Sequence, residues 1–211
     1  MIGYISFIVI SYLLGNISSS YFISRLVFNT DIRTMGSKNP GTTNAFRVFG
    51  KRAGILTFIG DFLKGAIAVL ISAYLANRFN FDANLARYIA AISVVCGHDW
   101  PIFLKLKGGK GVATTYGAML VIAPLQTVAS GLFFFISLFT TKYVSLSSML
   151  AIMLFPILML TVKDLSGLWV CLILSAMVVY RHKSNLLRLI NGTEPKAGLG
   201  FKKKNTESGK L

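Results

Sequence analysis

Residues Met119–Phe139 read MLVIAPLQTVASGLFFFISLF, with no charged side chain from end to end. A run of this kind is built for lipid hydrocarbon, and Tyr4–Leu14, Ala66–Ala76 and Leu165–Tyr180 repeat the pattern elsewhere in the chain. Over 211 residues, 54% are hydrophobic and 14% are charged, where a soluble domain carries roughly a quarter charged residues. The chain therefore reads as an all-α, polytopic membrane helical bundle. Residues 1–197 form one integral-membrane domain and residues 198–211 a polar basic tail. The N-terminus lacks the basic region and cleavage site of a signal peptide, so its first apolar run is expected to be retained as a span.

The formal charge of +15 does not point to nucleic acid. Lys and Arg gather at the ends of apolar runs, as orientation in a bilayer requires. The one basic run, Lys202-Lys203-Lys204, sits in the tail, where anionic lipid headgroups are the nearer partner. Cys96 and Cys171 lie inside apolar stretches and read as small buried hydrophobes. No metal spacing and no disulfide framework is present, and no cofactor is called for.

No Lys or Arg precedes Ile23, while Arg25, Arg33, Lys38, Arg47, Lys51 and Arg52 follow the first span. That asymmetry places the N-terminus outside and the following loop in the cytoplasm. A second span over roughly Gly54–Ala76 leads outward, and a third near Arg87–Leu104 returns, with Trp100 suited to the interface. From Val112 to Tyr180 the pattern admits two long spans or four shorter ones. Breaks near Pro124, Lys142–Ser145 and Lys163–Ser166 favour four: Val112–Ile122, Leu125–Thr140, Leu146–Thr161 and Leu165–Tyr180. This gives about seven transmembrane helices, with the C-terminus cytoplasmic. The first of the four is short for a full crossing and requires tilt or protein cover at its ends. Asp61 and Lys64, three residues apart, are placed to pair on one helix face as a structural ion pair.

Three polar segments then fall on one face of the membrane. Gly36–Arg47 supplies Ser37, Asn39, Gly41, Thr42, Thr43, Asn44 and Arg47. Lys107–Thr114 supplies Gly108, Gly109, Gly111 and Lys110, and Tyr180–Asn185 supplies His182 and Asn185. Glycines let the backbone approach a ligand, and their N–H groups beside Lys or Arg suit phosphate oxygens. Arginine offers a planar fork for two of those oxygens, and lysine a movable point charge. If the last helix continues, His182 and Asn185 share a face. Each loop taken alone reads more readily as a tight turn or a topology signal, and neither is a Walker sequence. Their convergence points to phosphate chemistry at a bilayer surface.

The run Gly36-Ser37-x-Asn39-Pro40-Gly41-x-Thr43-Asn44-x-x-Arg47 resembles the first motif of the bacterial acyl-phosphate-dependent glycerol-3-phosphate acyltransferases, the PlsY family. Gly97-His98-x-x-Pro101-x-Phe103 with Lys107–Thr114 is similar to its second motif, and Tyr143-Val144-Ser145-Leu146 to its serine segment. Arg181-His182-Lys183-x-Asn185-Leu186-x-Arg188-Leu189, with Gly192-Thr193-Glu194-Pro195-Lys196, resembles its C-terminal motif. The likeness covers nearly the whole chain. It departs at Lys38, where the family often has glycine, at Thr42 for alanine and at Leu106 for phenylalanine.

The resemblance implies transfer of a fatty acyl group from acyl phosphate to the 1-hydroxyl of glycerol 3-phosphate, giving lysophosphatidic acid and phosphate. It implies a multi-pass enzyme of the bacterial cell membrane with its active site facing the cytoplasm. Ser37, Arg47, Lys110, Ser145, His182 and Asn185 match the family's active-site positions. Gly36, Asn39, Gly41, Thr43, Asn44, Gly108, Gly109 and Gly111 are the corresponding phosphate-loop residues. Acyl phosphate is already activated, so no covalent enzyme intermediate is needed, and a substrate phosphate oxygen or His182 serves as base. The competing class is a transporter for a phosphorylated solute, which would need an inverted repeat or polar groups at the midplane. The polar groups gather instead on one face, and no repeat is visible.

Overall fold

The computed structural model describes residues 2–198, and the tail proposed for 198–211 lies almost wholly outside them. Ten α-helices follow one another: α1 (Ile2–Gly15), α2 (Ser19–Leu26), α3 (Thr42–Phe49), α4 (Lys51–Arg78), α5 (Ala83–Asp99), α6 (Val112–Ile122), α7 (Pro124–Thr141), α8 (Val144–Thr161), α9 (Leu165–Arg181) and α10 (Lys183–Ile190). Two single 3₁₀ turns, Ile32–Thr34 and Ile102–Leu104, sit in the loops.

Large apolar side chains cover the outside of the bundle as well as its interior. Leu125, Leu132, Ile136 and Phe139 of α7 and Trp169 of α9 face outward and are exposed, while many buried positions are Ala, Gly, Ser or Thr. Without water to drive helices together, close backbone packing must do so, and small residues permit it. The α4–α6 seam shows this directly. A Cβ at Gly117 would lie 1.8 Å from the Phe62 carbonyl oxygen, and one at Gly65 would lie 2.2 Å from that of Thr114. Gly15 of α1 and Gly97 of α5 meet in the same manner. The interior is completed by Val69, Val94, Met119, Phe155, Leu174 and Val178.

Four segments are long and apolar enough to cross a bilayer: Gly3–Leu26, Lys51–Arg78, Pro124–Thr141 and Val144–Thr161. Leu165–Arg181 with Lys183–Ile190 is a fifth, bent by 61°. The four helices expected between Val112 and Tyr180 are all present, and the breaks fall at Pro124, which opens α7, at Lys142 and at Lys163. Helix α6 has 11 residues, about 16 Å at the α-helical rise and short of the roughly 30 Å hydrocarbon core. Its middle is buried against α4, which is the cover such a helix needs.

Three features were not expected. The first span is interrupted at Asn16–Ser18, so α2 is a separate, more amphipathic helix. The Gly36–Arg47 segment is half helical, with α3 starting after Gly41. The last helix does not run straight through His182 but turns there into α10, so His182 and Asn185 are joined across a kink, with the Asn185 N–H donating to the His182 carbonyl at 2.8 Å.

Candidate active site

All the polar segments meet at one end of the bundle around a cavity of about 700 Å³. Ser37, Arg47, Lys110, Ser145, His182 and Asn185 all line it, as do Gly36, Asn39, Gly41, Thr43, Asn44 and Gly111. Its other side is apolar, with Phe58 and Phe62 of α4, Tyr116 of α6 and Phe134 and Phe135 of α7. A charged end and an aromatic groove therefore belong to one space.

The first loop is held by an amide. The Asn44 side chain accepts from the Ser37 N–H at 2.9 Å and donates to the Met35 carbonyl at 3.0 Å, pinning the turn against the start of α3. Gly36 sits at φ +57°, where a Cβ would strike the Asn44 amide. Asn44 is thus a brace for the loop. Helix α3 carries Arg47 to the cavity, and its guanidinium makes no hydrogen bond or ion pair with another described residue.

The second loop is built differently. The Gly109 N–H donates to the His98 carbonyl at 3.0 Å, and the Gly108 and Gly109 carbonyls accept from Arg181 at 2.9 Å each. A Cβ on Gly109 would fall 2.0 Å from His98 Nε2. Neither glycine lines the main cavity. The expectation that their N–H groups cradle phosphate is therefore corrected for Gly109, whose N–H is already bonded. What these glycines permit is close packing, which aims Lys110 inward. Behind them, Lys64 Nζ lies 3.0 Å from Asp61 and donates to the Gly15 and Ile17 carbonyls at 3.1 and 2.6 Å and to His98 Nδ1 at 2.8 Å. The expected Asp61–Lys64 pair is present, and it also anchors the ring beneath the glycine loop.

Glu194 is the residue that sequence reasoning gave no role. Its carboxylate accepts from Ser145 Oγ at 2.7 Å, Asn185 Nδ2 at 2.6 Å and Arg188 Nε at 2.7 Å. Asn185 in turn accepts from Lys110 Nζ. Burial would raise the Glu194 carboxyl, but these hydrogen bonds outweigh it and hold the pKa below the ordinary range. Burial lowers Lys110 to about 8, with Glu194 drawing it back up and Arg188, Arg181 and Arg47 pushing it further down. Two signals pointed to Glu194: it is a rare carboxylate in a basic chain, and it lies within the C-terminal motif Gly192–Lys196. At His182, Nδ1–H donates to the Val178 carbonyl at 2.8 Å. In the neutral ring that leaves Nε2 as an acceptor.

The model of the glycerol-3-phosphate acyltransferase family matches residues 5–192. The chain is 50% identical over 196 residues to a glycerol-3-phosphate acyltransferase of Clostridioides difficile, covering 93% of this chain and 96% of the relative. It is 42% identical to the Bacillus subtilis enzyme of the same name, over 90% of this chain and 95% of that one. Among solved structures it is similar to PlsY, an integral membrane glycerol 3-phosphate acyltransferase. The glycerol 3-phosphate form gives a TM-score of 0.85 at 33% identity, covering 92% of this chain and 96% of the other. The lysophosphatidic acid form gives 0.82 at 32% identity, covering 92% and 95%.

The chain belongs to the glycerol-3-phosphate acyltransferase family. It is a multi-pass membrane acyltransferase of the PlsY type.

Proposed function

We propose that this chain transfers a fatty acyl group from acyl phosphate to the 1-hydroxyl of glycerol 3-phosphate, releasing lysophosphatidic acid and phosphate. The observation that carries this reading is the continuity of the cavity. Arg47, Lys110 and Ser37 stand at one end of it, and the aromatic groove between α4, α6 and α7 runs from the other. Two phosphorylated substrates, each with a charge of about −1.5 to −2, require cations to meet. One of them brings a chain that requires lipid-facing apolar walls.

In the reaction the 1-hydroxyl oxygen attacks the acyl carbonyl carbon. An ester C–O bond forms and the anhydride C–O bond to phosphate breaks, its electron pair leaving on phosphate. The hydroxyl proton passes to a phosphate oxygen, whose dianion (second pKa about 6) is a competent base at neutral pH. Arg47 and Lys110 neutralise the phosphates, and Ser37 Oγ donates to one of them. His182 Nε2 accepts from the attacking hydroxyl and orients it. Ser145 and Asn185 act through Glu194, holding the segment that closes the site beside Lys110.

The site faces the cytoplasm of the bacterial cell membrane, in a seven-span arrangement with the N-terminus outside. The charge asymmetry of the loops supports this, together with the meeting of all polar segments at one end. Purified protein assayed with acyl phosphate, acyl-CoA and acyl carrier protein as rival donors tests the reaction. Phosphate release from acyl phosphate only when glycerol 3-phosphate is present is the expected result. Release that ignores glycerol 3-phosphate, or transfer from a thioester donor alone, would overturn it. Single cysteines at Lys38 and Ser184 labelled only from the cytoplasmic side, and one at Asn80 labelled only from outside, test the orientation.

A further inference from the structure

A second cavity of about 330 Å³ abuts the first and shares Ser37, Asn39, Lys110 and Arg188 with it. Its remaining wall includes Lys38, Lys107, Arg181 and Lys183, and among the described residues no carboxylate lines it. Several of these cations are already engaged. Arg181 is tied to the Gly108 and Gly109 carbonyls, Arg188 to Glu194, and Lys183 lies over the Tyr180 ring at 5.1 Å. The ammonium groups of Lys38 and Lys107 make no hydrogen bond or ion pair with another described residue.

Lys38 is also held in the left-handed region at φ +59°, a conformation that favours glycine over a residue with a Cβ. Lys105, Lys142 and Lys163 share that left-handed backbone, and what sets Lys38 apart is that its turn places an unengaged ammonium on the rim of a basic cavity. Strain of this sort is informative when the side chain has something to do.

We infer that the smaller cavity is a capture site for phosphate monoesters, where Lys38 and Lys107 receive soluble glycerol 3-phosphate before it passes Lys110 into the reaction cavity. The inference rests on the acyltransferase reading and adds a place where the polar substrate first binds. A cleft lined by one sign of charge raises the local concentration of the opposite ion and its rate of arrival. The membrane-borne donor reaches the site through the aromatic groove and has no need of this route.

The test is steady-state kinetics on the full chain carrying Lys38→Gly and Lys107→Gln together. Glycine at position 38 relieves the strain, so folding is not compromised. At low ionic strength KM for glycerol 3-phosphate should rise about three- to tenfold, with kcat and KM for acyl phosphate unchanged. The gap from the parent chain should close in high salt, where exposed charges are screened. Inorganic phosphate, used as a competing probe, should lose inhibitory strength against glycerol 3-phosphate by the same factor. An unchanged KM for glycerol 3-phosphate at low salt would overturn the inference, and so would an equal rise in KM for acyl phosphate. A parent chain unable to acylate glycerol 3-phosphate would instead overturn the function itself, which separates the two failures.

Discussion

Gly36–Arg47 and Lys107–Thr114 look alike in sequence, each a glycine-rich loop with a cation, yet the structure uses them differently. In the first, the loop is pinned from within by Asn44, and Arg47 is left without a protein partner. In the second, the glycines are wedged between His98 and Arg181, and Lys110 is hydrogen-bonded to Asn185. One loop presents an open fork to the cavity. The other delivers a braced point charge. Glycine content alone does not say whether a loop is there to let a ligand approach or to let the protein pack.

The largest effect should come from the two cations themselves. Arg47→Ala and Lys110→Ala should each lower kcat/KM by about 2–5 kcal/mol, roughly thirty- to several-thousandfold, the cost of leaving a buried phosphate charge unpaired. The two differ in what else they disturb. The Arg47 guanidinium makes no hydrogen bond or ion pair with another described residue, so its alanine variant should melt near the parent temperature. Loss of Lys110 strips Asn185 of a donor and leaves the Glu194 network less well held. Arg47→Lys should also fail, since an ammonium cannot reproduce the fork. Near-parental turnover in Arg47→Lys would show that only charge counts in the first loop.

The packing half of the comparison predicts a split between glycines. Gly109→Ala drives a methyl into the His98 ring, which Lys64 holds at 2.8 Å and cannot easily release. Overpacking of that kind costs about 1–3 kcal/mol of stability, and it should also displace Lys110. In Gly41→Ala the new methyl meets only the end of the Asn39 side chain, and the backbone there is extended. That variant should unfold at nearly the parent temperature, and any loss of turnover would come from the methyl crowding the cavity wall that Gly41 and Asn39 line. Thermal unfolding in detergent together with activity would break the comparison if the two substitutions behaved alike.

Much of the bundle was legible in the sequence because lipid imposes a strong pattern. The four helices after Val112 could be placed from uncharged runs punctuated by Pro124, Lys142 and Lys163, and the structure breaks at those points. Most of the polar residues that line the cavity could be picked out in the sequence, because short polar loops in such a chain have few alternatives. What could not be read was how they are held. Glu194 reaches Ser145 across 49 positions and Lys64 reaches His98 across 34, and no local pattern announces such contacts. The kink at His182 was missed for a related reason. The tie from Arg181 to the glycine loop beside it is tertiary, while the local sequence would allow the helix to continue.

A smaller effect is expected at His182, which belongs to neither loop. As a group that orients the hydroxyl, it should lose about ten- to a hundredfold in kcat when changed to Gln, at the low end of general-base losses. The glutamine carbonyl can still accept the hydrogen bond that Nε2 takes. A His182→Gln enzyme that binds glycerol 3-phosphate normally but shows no turnover would make the ring an obligatory base.

The mildest test uses pH, to which only one of the two loops should respond. Arginine stays protonated throughout the accessible range, whereas burial brings Lys110 down to about 8. The ammonium is the form that holds phosphate, so KM for glycerol 3-phosphate should rise as pH passes through about 8. The change should be roughly tenfold per unit at its steepest, as for any single titrating group. A bound dianion favours the ammonium, so kcat should hold to higher pH than kcat/KM does. Stability should run the opposite way. With the folded pKa depressed, the unfolded chain binds more protons between about 8 and the ordinary lysine value, so this group adds stability as pH rises through that window. Lys110→Arg separates the two loops most cleanly: whatever activity survives should have lost its alkaline limb, because both cations are then permanently charged. A limb that persists near pH 8 in that variant would assign the titration to another group and remove the pH contrast between the loops.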